Sequence, residues 1–170
     1  MKQRTQLIFH DPERGLFGDC HRTCLAMVLD MNPADIPNIV GEDWLEQERA
    51  FLAPHGLSSV HIPVAFNDFG ELVEYCRVAF PGVAIIIGGR STVTGGNHSL
   101  VILDGEIIDP AGSKSNDLNA MDDSLYRLGL IVVANGWNAR TAPEVFYKAN
   151  GDHKYFDGHC LDLDCERCND

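Results

Sequence analysis

The chain has 170 residues, of which 45% are hydrophobic and 22% are charged; this composition fits one folded domain with a small appendage and excludes disorder of the whole chain. Its 25 acidic residues against 13 Lys and Arg leave a net charge of −12, which repels phosphate backbones and anionic membranes, so neither nucleic acid nor a membrane is an expected partner. There is no apolar run of about 18 residues, and residues 7–9 are too short an apolar run for a signal peptide. We therefore expect a cytoplasmic protein whose six cysteines are thiols or metal ligands rather than disulfides.

The first half of the chain is predicted to be mainly helical. Apolar spacing indicates a helix over residues 19–31 with Asp19 as its N-cap, and one over residues 42–53 that buries Trp44, Leu45 and Phe51. The elements that follow are a short strand over residues 57–62 and a third helix over residues 67–78, capped by Asn67 or Asp68.

The second half changes to the pattern of strands. The predicted strands are residues 83–87, 99–103, 106–109 and 128–134, and a Gly-rich loop over residues 88–97 is expected to be mobile and to guard a cleft. Helices followed by strands predict an α+β fold with an antiparallel sheet. The predicted organisation is one domain over residues 1–149 and an acidic tail over residues 150–170 that contains Cys and His.

Cys20 is the most informative residue of the sequence. It follows Asp19 at the first turn of the first predicted helix, where unpaired backbone N–H groups and the helix dipole favour negative charge. A thiol at such a position is a candidate nucleophile, which then needs a base and a group that orients the base.

The predicted hairpin supplies both groups. Asp104-Gly105 is a strong signal for a two-residue turn. With that turn, His98 and Asp109 become diagonal neighbours on one face of the hairpin. Asp109 would then orient His98, and the other ring nitrogen would face Cys20, so the pattern predicts a Cys–His–Asp triad.

Two segments carry a family resemblance. GDCHRTCLAMVLDMNPADIPNIV is similar to the nucleophile helix of small papain-like cysteine peptidases of bacteria and phages, and NHSLVILDGEIIDPAGS is similar to their His–Asp hairpin. The resemblance implies a papain-like fold in which helices carrying Cys20 pack on a sheet carrying His98 and Asp109. It also implies a Gln upstream of the nucleophile as oxyanion donor, for which Gln6 is the best match and Gln3 the second.

The remaining Cys and His residues receive weaker assignments. Cys24, one turn beyond Cys20, is predicted to be a core thiol and is the reserve nucleophile, and Cys76 is predicted to be core. His21 points about 100° around the helix from Cys20, so it is not assigned as the base. The histidines without a predicted partner are His10, His55 and His61.

The C-terminal tail suggests the one cofactor. His159, Cys160, Cys165 and Cys168, with His153 as an alternative ligand, have the spacing of a structural zinc site. The cysteine spacing also resembles that of [2Fe–2S] ligands, but a fourth cysteine is missing. A solvated tail of free thiols is the other reading, and the predicted catalysis itself requires no cofactor.

These observations predict a cysteine-dependent hydrolase that cleaves an amide or isopeptide bond through a thioester. The expected substrate is a peptide or protein, and the negative surface favours a basic one. A deamidase or transamidase would use the same residues. Two other classes stay open: an interaction protein on the same fold that binds a host protein without turnover, and a metal-binding module built on the tail.

Overall fold

The computed structural model describes residues 1–11, 14–112, 117–133, 155–156 and 159–160. The chain divides into two compact units, Met1–Val132 and Val133–Asp170. The first unit combines three helices with an antiparallel sheet, so the predicted α+β class is confirmed.

The helices of the first unit are α1 (Cys20–Val28), α2 (Trp44–Leu52) and α3 (Phe69–Ala79). α1 is shorter than predicted because Asp30 adopts a φ of 51°, a left-handed conformation that stops the helix. α3 is capped by Asp68, whose carboxylate accepts a hydrogen bond of 2.9 Å from the Glu71 N–H. Within the described residues, no helix has the length and apolar character needed to cross a bilayer.

The burial predicted for α2 is wrong in its details. Trp44, Leu45 and Phe51 are only half-buried, whereas Glu48 and Leu52 are the buried residues of this helix. The helix is rotated relative to the expectation because Glu48, a carboxylate, faces two histidines of other elements instead of solvent.

The six strands of the first unit form a sheet in the order β1-β6-β2-β3-β4, with β5 also paired to β2. They are β1 (Leu57–Val64), β2 (Ile85–Ser91), β3 (Asn97–Leu103), β4 (Glu106–Ile108), β5 (Leu118–Asn119) and β6 (Tyr126–Val133). The pairs β2–β3, β2–β5, β2–β6 and β3–β4 are antiparallel.

Half of the predicted loop over residues 88–97 is strand. β2 continues to Ser91 and β3 begins at Asn97, so only residues 92–96 connect them. Gly89 lies where β5 pairs with β2, and a Cβ there would meet the Asn119 carbonyl oxygen at 2.7 Å. This glycine therefore serves the close approach of strands rather than a mobile loop.

Helices cover both faces of the sheet. Ile85 and Ile87 of β2 belong to the cluster that contains Leu72 of α3. Ile86, between them, belongs to the cluster that contains Leu25 of α1. Because alternate side chains of a strand point to opposite faces, α3 packs on one face and α1 on the other. Trp44 and Phe51 of α2 pack against the α1 cluster, which places α1 and α2 together.

The β3–β4 hairpin has the predicted two-residue turn. Leu103 pairs with Glu106, and Asp104 and Gly105 between them have φ of 52° and 84°, as a type I′ turn requires. The ladder ends at the pair Val101–Ile108, so Asp109 lies just beyond it.

In the second unit the described backbone forms two short antiparallel strands, β7 (Tyr155–Phe156) and β8 (His159–Cys160). The other predicted metal ligands, His153, Cys165 and Cys168, lie outside the described residues.

Candidate active site

The hairpin brings His98 and Asp109 into direct contact. His98 Nε2 lies 2.9 Å from Asp109 Oδ1, and the backbone N–H of Ala111 donates to the same oxygen at 2.7 Å. Asp109 is buried, with 6% of its surface exposed. The predicted orienting contact is therefore present, and it leaves Nδ1 of His98 for a second partner.

His98 also has a hydrogen bond with Cys20, the first residue of α1. Burial of His98 opposes its charged form, but hydrogen bonds with Asp109 and Cys20, together with their negative charge, raise the pKa of His98 to about 9. The imidazolium form is thus favoured at neutral pH. Cys20, His98 and Asp109 line one cavity of about 930 Å³.

Asp19 is the N-cap residue of α1, as predicted, but its side chain makes no hydrogen bond to the helix backbone. Its buried carboxylate accepts hydrogen bonds from the backbone N–H groups of Leu7 and Ile8, at 3.1 and 2.9 Å, and from Arg22. The Asp19 N–H in turn donates to the Ile8 carbonyl at 3.0 Å. The hydrogen bonds of Asp19 therefore hold the N-terminal segment beside the start of α1.

Because Asp19 holds the neighbouring residues Leu7 and Ile8, Gln6 lies in the wall of the cavity. Its backbone N–H donates to the Pro110 carbonyl at 2.8 Å, next to Asp109. Its side-chain Nε2 donates only a long bond of 3.4 Å to Ile8, and its buried Oε1 has no hydrogen-bond partner among the described residues. Gln3, the second candidate, is exposed and is not among the cavity-lining residues.

A second cluster of titratable side chains, which the sequence did not reveal, lines the same cavity through His21 and His61. The two oxygens of Glu48 bind two imidazoles: Oε2 contacts His21 Nε2, and Oε1 lies 2.6 Å from His61 Nε2. The buried hydroxyl of Ser59 also lies beside this carboxylate, outside regular hydrogen-bond geometry. The cluster joins α1, α2 and β1.

Trp44 encloses the two imidazoles of this cluster. Its ring meets His61 edge-on at 4.8 Å and His21 edge-on at 5.5 Å between centroids. Glu48 is fully buried, which by itself opposes its ionisation, but the hydrogen bonds from His21 and His61 hold its pKa well below its ordinary value. The signal in the sequence was the spacing Trp44–Glu48–Leu52, which places all three on one face of α2.

The remaining cysteines of the first unit are core thiols. Cys24 and Cys76 are buried, as predicted. Burial raises the pKa of Cys76 to about 11, and burial together with repulsion from Cys20 and Asp109 raises the pKa of Cys24 well above its ordinary value. Cys24 is therefore not suited to the reserve role of nucleophile, because it is both inaccessible and held as the thiol.

No group of three or more His, Cys, Asp or Glu side chains in the described part of the chain is arranged to hold a metal ion. The predicted zinc ligands belong to the tail, so the zinc hypothesis lies outside the described residues and stays a prediction.

Gly129 of β6 supports the histidine cluster from the sheet. A Cβ at this position would lie 2.9 Å from His61 Cε1 and 3.1 Å from Nδ1, and His61 cannot retreat because Glu48 and Trp44 hold it. We expect Gly129→Ala to lower the free energy of unfolding by about 1–3 kcal/mol, measured by urea denaturation. Gly88→Ala is the matched control, since its Cβ would meet Arg127 Cβ at an ordinary 3.4 Å. Equal stability of the two variants would contradict this role of Gly129.

Comparison with known proteins identifies no relative, so a function for this chain has to be proposed from the geometry of the site. No family model, no curated protein and no solved structure matches this chain.

Proposed function

We propose that the protein is a cysteine-dependent hydrolase of papain-like arrangement that cleaves an amide or isopeptide bond through a thioester on Cys20. The observation that carries the proposal is the chain of contacts from Asp109 through His98 to Cys20 within one cavity. This is the order of roles that nucleophilic acyl transfer requires: nucleophile, base and orienting carboxylate.

The proposed reaction has two steps. The Cys20 thiolate attacks the carbonyl carbon, and the His98 imidazolium then gives its proton to the leaving amine as the C–N bond breaks. Neutral His98 next takes a proton from water, the hydroxide attacks the thioester, and Cys20 leaves as thiolate. The pKa of about 9 suits His98 to the first step, because the ring carries the required proton at neutral pH.

The oxyanion of each tetrahedral intermediate needs hydrogen-bond donors. We assign this role to the backbone N–H of Cys20 at the start of α1 and to Nε2 of Gln6. The bond from Gln6 to Ile8 is long, at 3.4 Å, so an oxyanion offers this N–H group a stronger acceptor.

The substrate is proposed to be a peptide or protein. A cavity of about 930 Å³ has room for several side chains of an extended chain. Arg90 and Arg127 in its wall are neutralised by ion pairs with Asp122 and Asp123, whereas Glu42 and Asp117 at the rim are exposed acids. Together with the net charge, this favours a basic substrate.

The first test is selective alkylation of Cys20. Treatment with iodoacetamide at mildly acidic pH, followed by peptide mass spectrometry, should label Cys20 ahead of Cys24 and Cys76, since the thiols of these two residues are buried and protonated. His98→Ala should slow this labelling because it removes the cationic partner of the thiolate.

Cys20→Ala and Cys76→Ala are the controls for the alkylation experiment. The first should abolish the fast label and the second should leave it intact. Inert Cys20 in the folded protein, with labelling confined to the tail cysteines, would refute the nucleophile. Reactive Cys20 combined with no cleavage of any peptide library would instead favour a protein that binds its partner without turnover.

A further inference from the structure

The cluster of His21 and His61 around Glu48 contains the same kind of imidazole–carboxylate contact as the proposed triad. His98 is held by the buried carboxylate of Asp109, and His21 is held by the buried carboxylate of Glu48. Both imidazoles line the same cavity, and His21 follows Cys20 directly in the chain. The cavity therefore contains two imidazole–carboxylate pairs, of which the proposed hydrolysis uses only one.

Of the two imidazoles that contact Glu48, His21 is the one positioned to contact a ligand. The Nδ1 side of His61 is pressed against the backbone of Gly129 in β6, as the 3.1 Å approach of a Cβ there indicates. His21 lies at the first turn of α1 beside Cys20, and Glu48 occupies its Nε2. The nitrogen of His21 left for a ligand is Nδ1.

The carboxylate of Glu48 can neutralise the positive charge that a second proton would bring to His21. An imidazolium in a buried place is costly unless an anion neutralises it. Glu48 is fully buried and ionised, and it already contacts His21. A proton taken up on Nδ1 would thus convert a buried anion into a neutral pair.

We propose that His21, held by Glu48, is a second proton acceptor of the cavity, and that it lets a primary amine resolve the Cys20 thioester, so that the site transfers acyl groups to amines as well as to water. This inference rests on the proposed function of Cys20.

The proton balance explains why an amine needs the second acceptor. An amine arrives as R–NH3⁺ and must lose one proton before its lone pair can attack. As the new C–N bond forms and the C–S bond breaks, the nitrogen loses a second proton and Cys20 leaves as thiolate. His98 takes one of these protons and restores its ion pair with Cys20, while His21 takes the other. Water needs one acceptor for its attack, because the second proton leaves the carboxylic acid product afterwards.

The charge of the cavity favours an amine over other acceptors. The exposed acids Glu42 and Asp117 line the cavity, and its two arginines are neutralised by ion pairs. A cationic acceptor such as a lysine side chain is therefore attracted, whereas an anionic acceptor is repelled.

The test compares two amines on one acyl-enzyme. p-Nitrophenyl acetate would acetylate Cys20, and mass spectrometry would follow transfer of the acetyl group to Nα-blocked lysine amide or to hydroxylamine. Hydroxylamine is largely uncharged at neutral pH and does not need the second acceptor. In His21→Gln the amide can still donate to Glu48 but cannot take up a proton. We expect this variant to slow transfer to lysine by about 10²-fold or more and to leave transfer to hydroxylamine unchanged.

His61→Gln is the matched control, because it makes the same histidine-to-amide change on the other oxygen of Glu48. It should keep the wild-type ratio of lysine to hydroxylamine transfer. Equal slowing of both amines in His21→Gln would assign His21 a purely structural role and overturn the inference. No transfer to lysine in the wild-type protein would overturn it as well. Absence of acetyl-Cys20 would instead remove the proposed function and, with it, the inference.

Discussion

Replacing His98 by glutamine is expected to slow acylation of Cys20 by about 10²- to 10⁴-fold. Glutamine keeps a donor for Asp109, which is 2.9 Å from the ring in the native protein, but it cannot carry the positive charge that stabilises the thiolate. The measurement is the burst of p-nitrophenol from p-nitrophenyl acetate under single-turnover conditions. His55→Gln is the control, because His55 is exposed and contacts Phe51 away from the cavity.

The same variant should change how stability depends on pH. The pKa of His98 is raised from its ordinary value of 6.5 to about 9 in the folded protein. Its contribution to stability is therefore fully present below pH 6.5 and is lost as the pH rises through about 9. The difference in unfolding free energy between wild type and His98→Gln should shrink across this interval. A constant difference would contradict the stabilisation of protonated His98 by Asp109 and Cys20.

Removing both imidazoles from Glu48 should give the largest loss of stability. In the double variant His21→Leu with His61→Leu, the carboxylate stays fully buried and loses its two donors. We expect the free energy of unfolding to fall by about 3–5 kcal/mol, as measured by urea denaturation. Adding Glu48→Leu should recover most of this loss, because an apolar cluster replaces the isolated charge.

The effect of acid separates this explanation from a simple packing defect. Because the pKa of Glu48 is held below its ordinary value of 4.5, the carboxylate stabilises the native protein above pH 4.5 and less as the pH falls below it. Burial without donors would raise the pKa in the double variant, so the gap between the two proteins should narrow in acid. Glu74→Gln serves as the control, since Glu74 is exposed and pairs with Arg77; it should cost less than about 1 kcal/mol. A triple variant that is no more stable than the double one would contradict the electrostatic cause.

The predictions that held depend on local rules. The turn Asp104-Gly105 set the register of β3 and β4, because its left-handed conformations favour these residue types and a two-residue turn leaves one pairing. That register brought His98 to Asp109. The position of Cys20 at the start of α1 likewise followed from the pattern of its own segment.

The predictions that failed concern side chains whose partners are distant in the chain. Asp19 is at the predicted N-cap position, yet its carboxylate accepts hydrogen bonds from backbone N–H groups 11 and 12 residues away instead of from α1. On α2 the predicted buried residues are Trp44, Leu45 and Phe51, yet the buried charge of this helix is Glu48, whose partners lie 27 and 13 residues away. Hydrophobic periodicity indicates which residues share a face of a helix, but it does not identify the residues that pack against that face.

The sequence by itself therefore determined the α+β class, the hairpin register and the residues of the candidate triad, since each is specified by spacing within one or two neighbouring elements. Only the tertiary structure decided that Gln6 stands in the cavity wall and Gln3 does not, and that His21 and His61 share Glu48. These facts depend on how α1, α2 and β1 pack against one another. A buried carboxylate takes the donors that packing brings to it, and no local pattern specifies them.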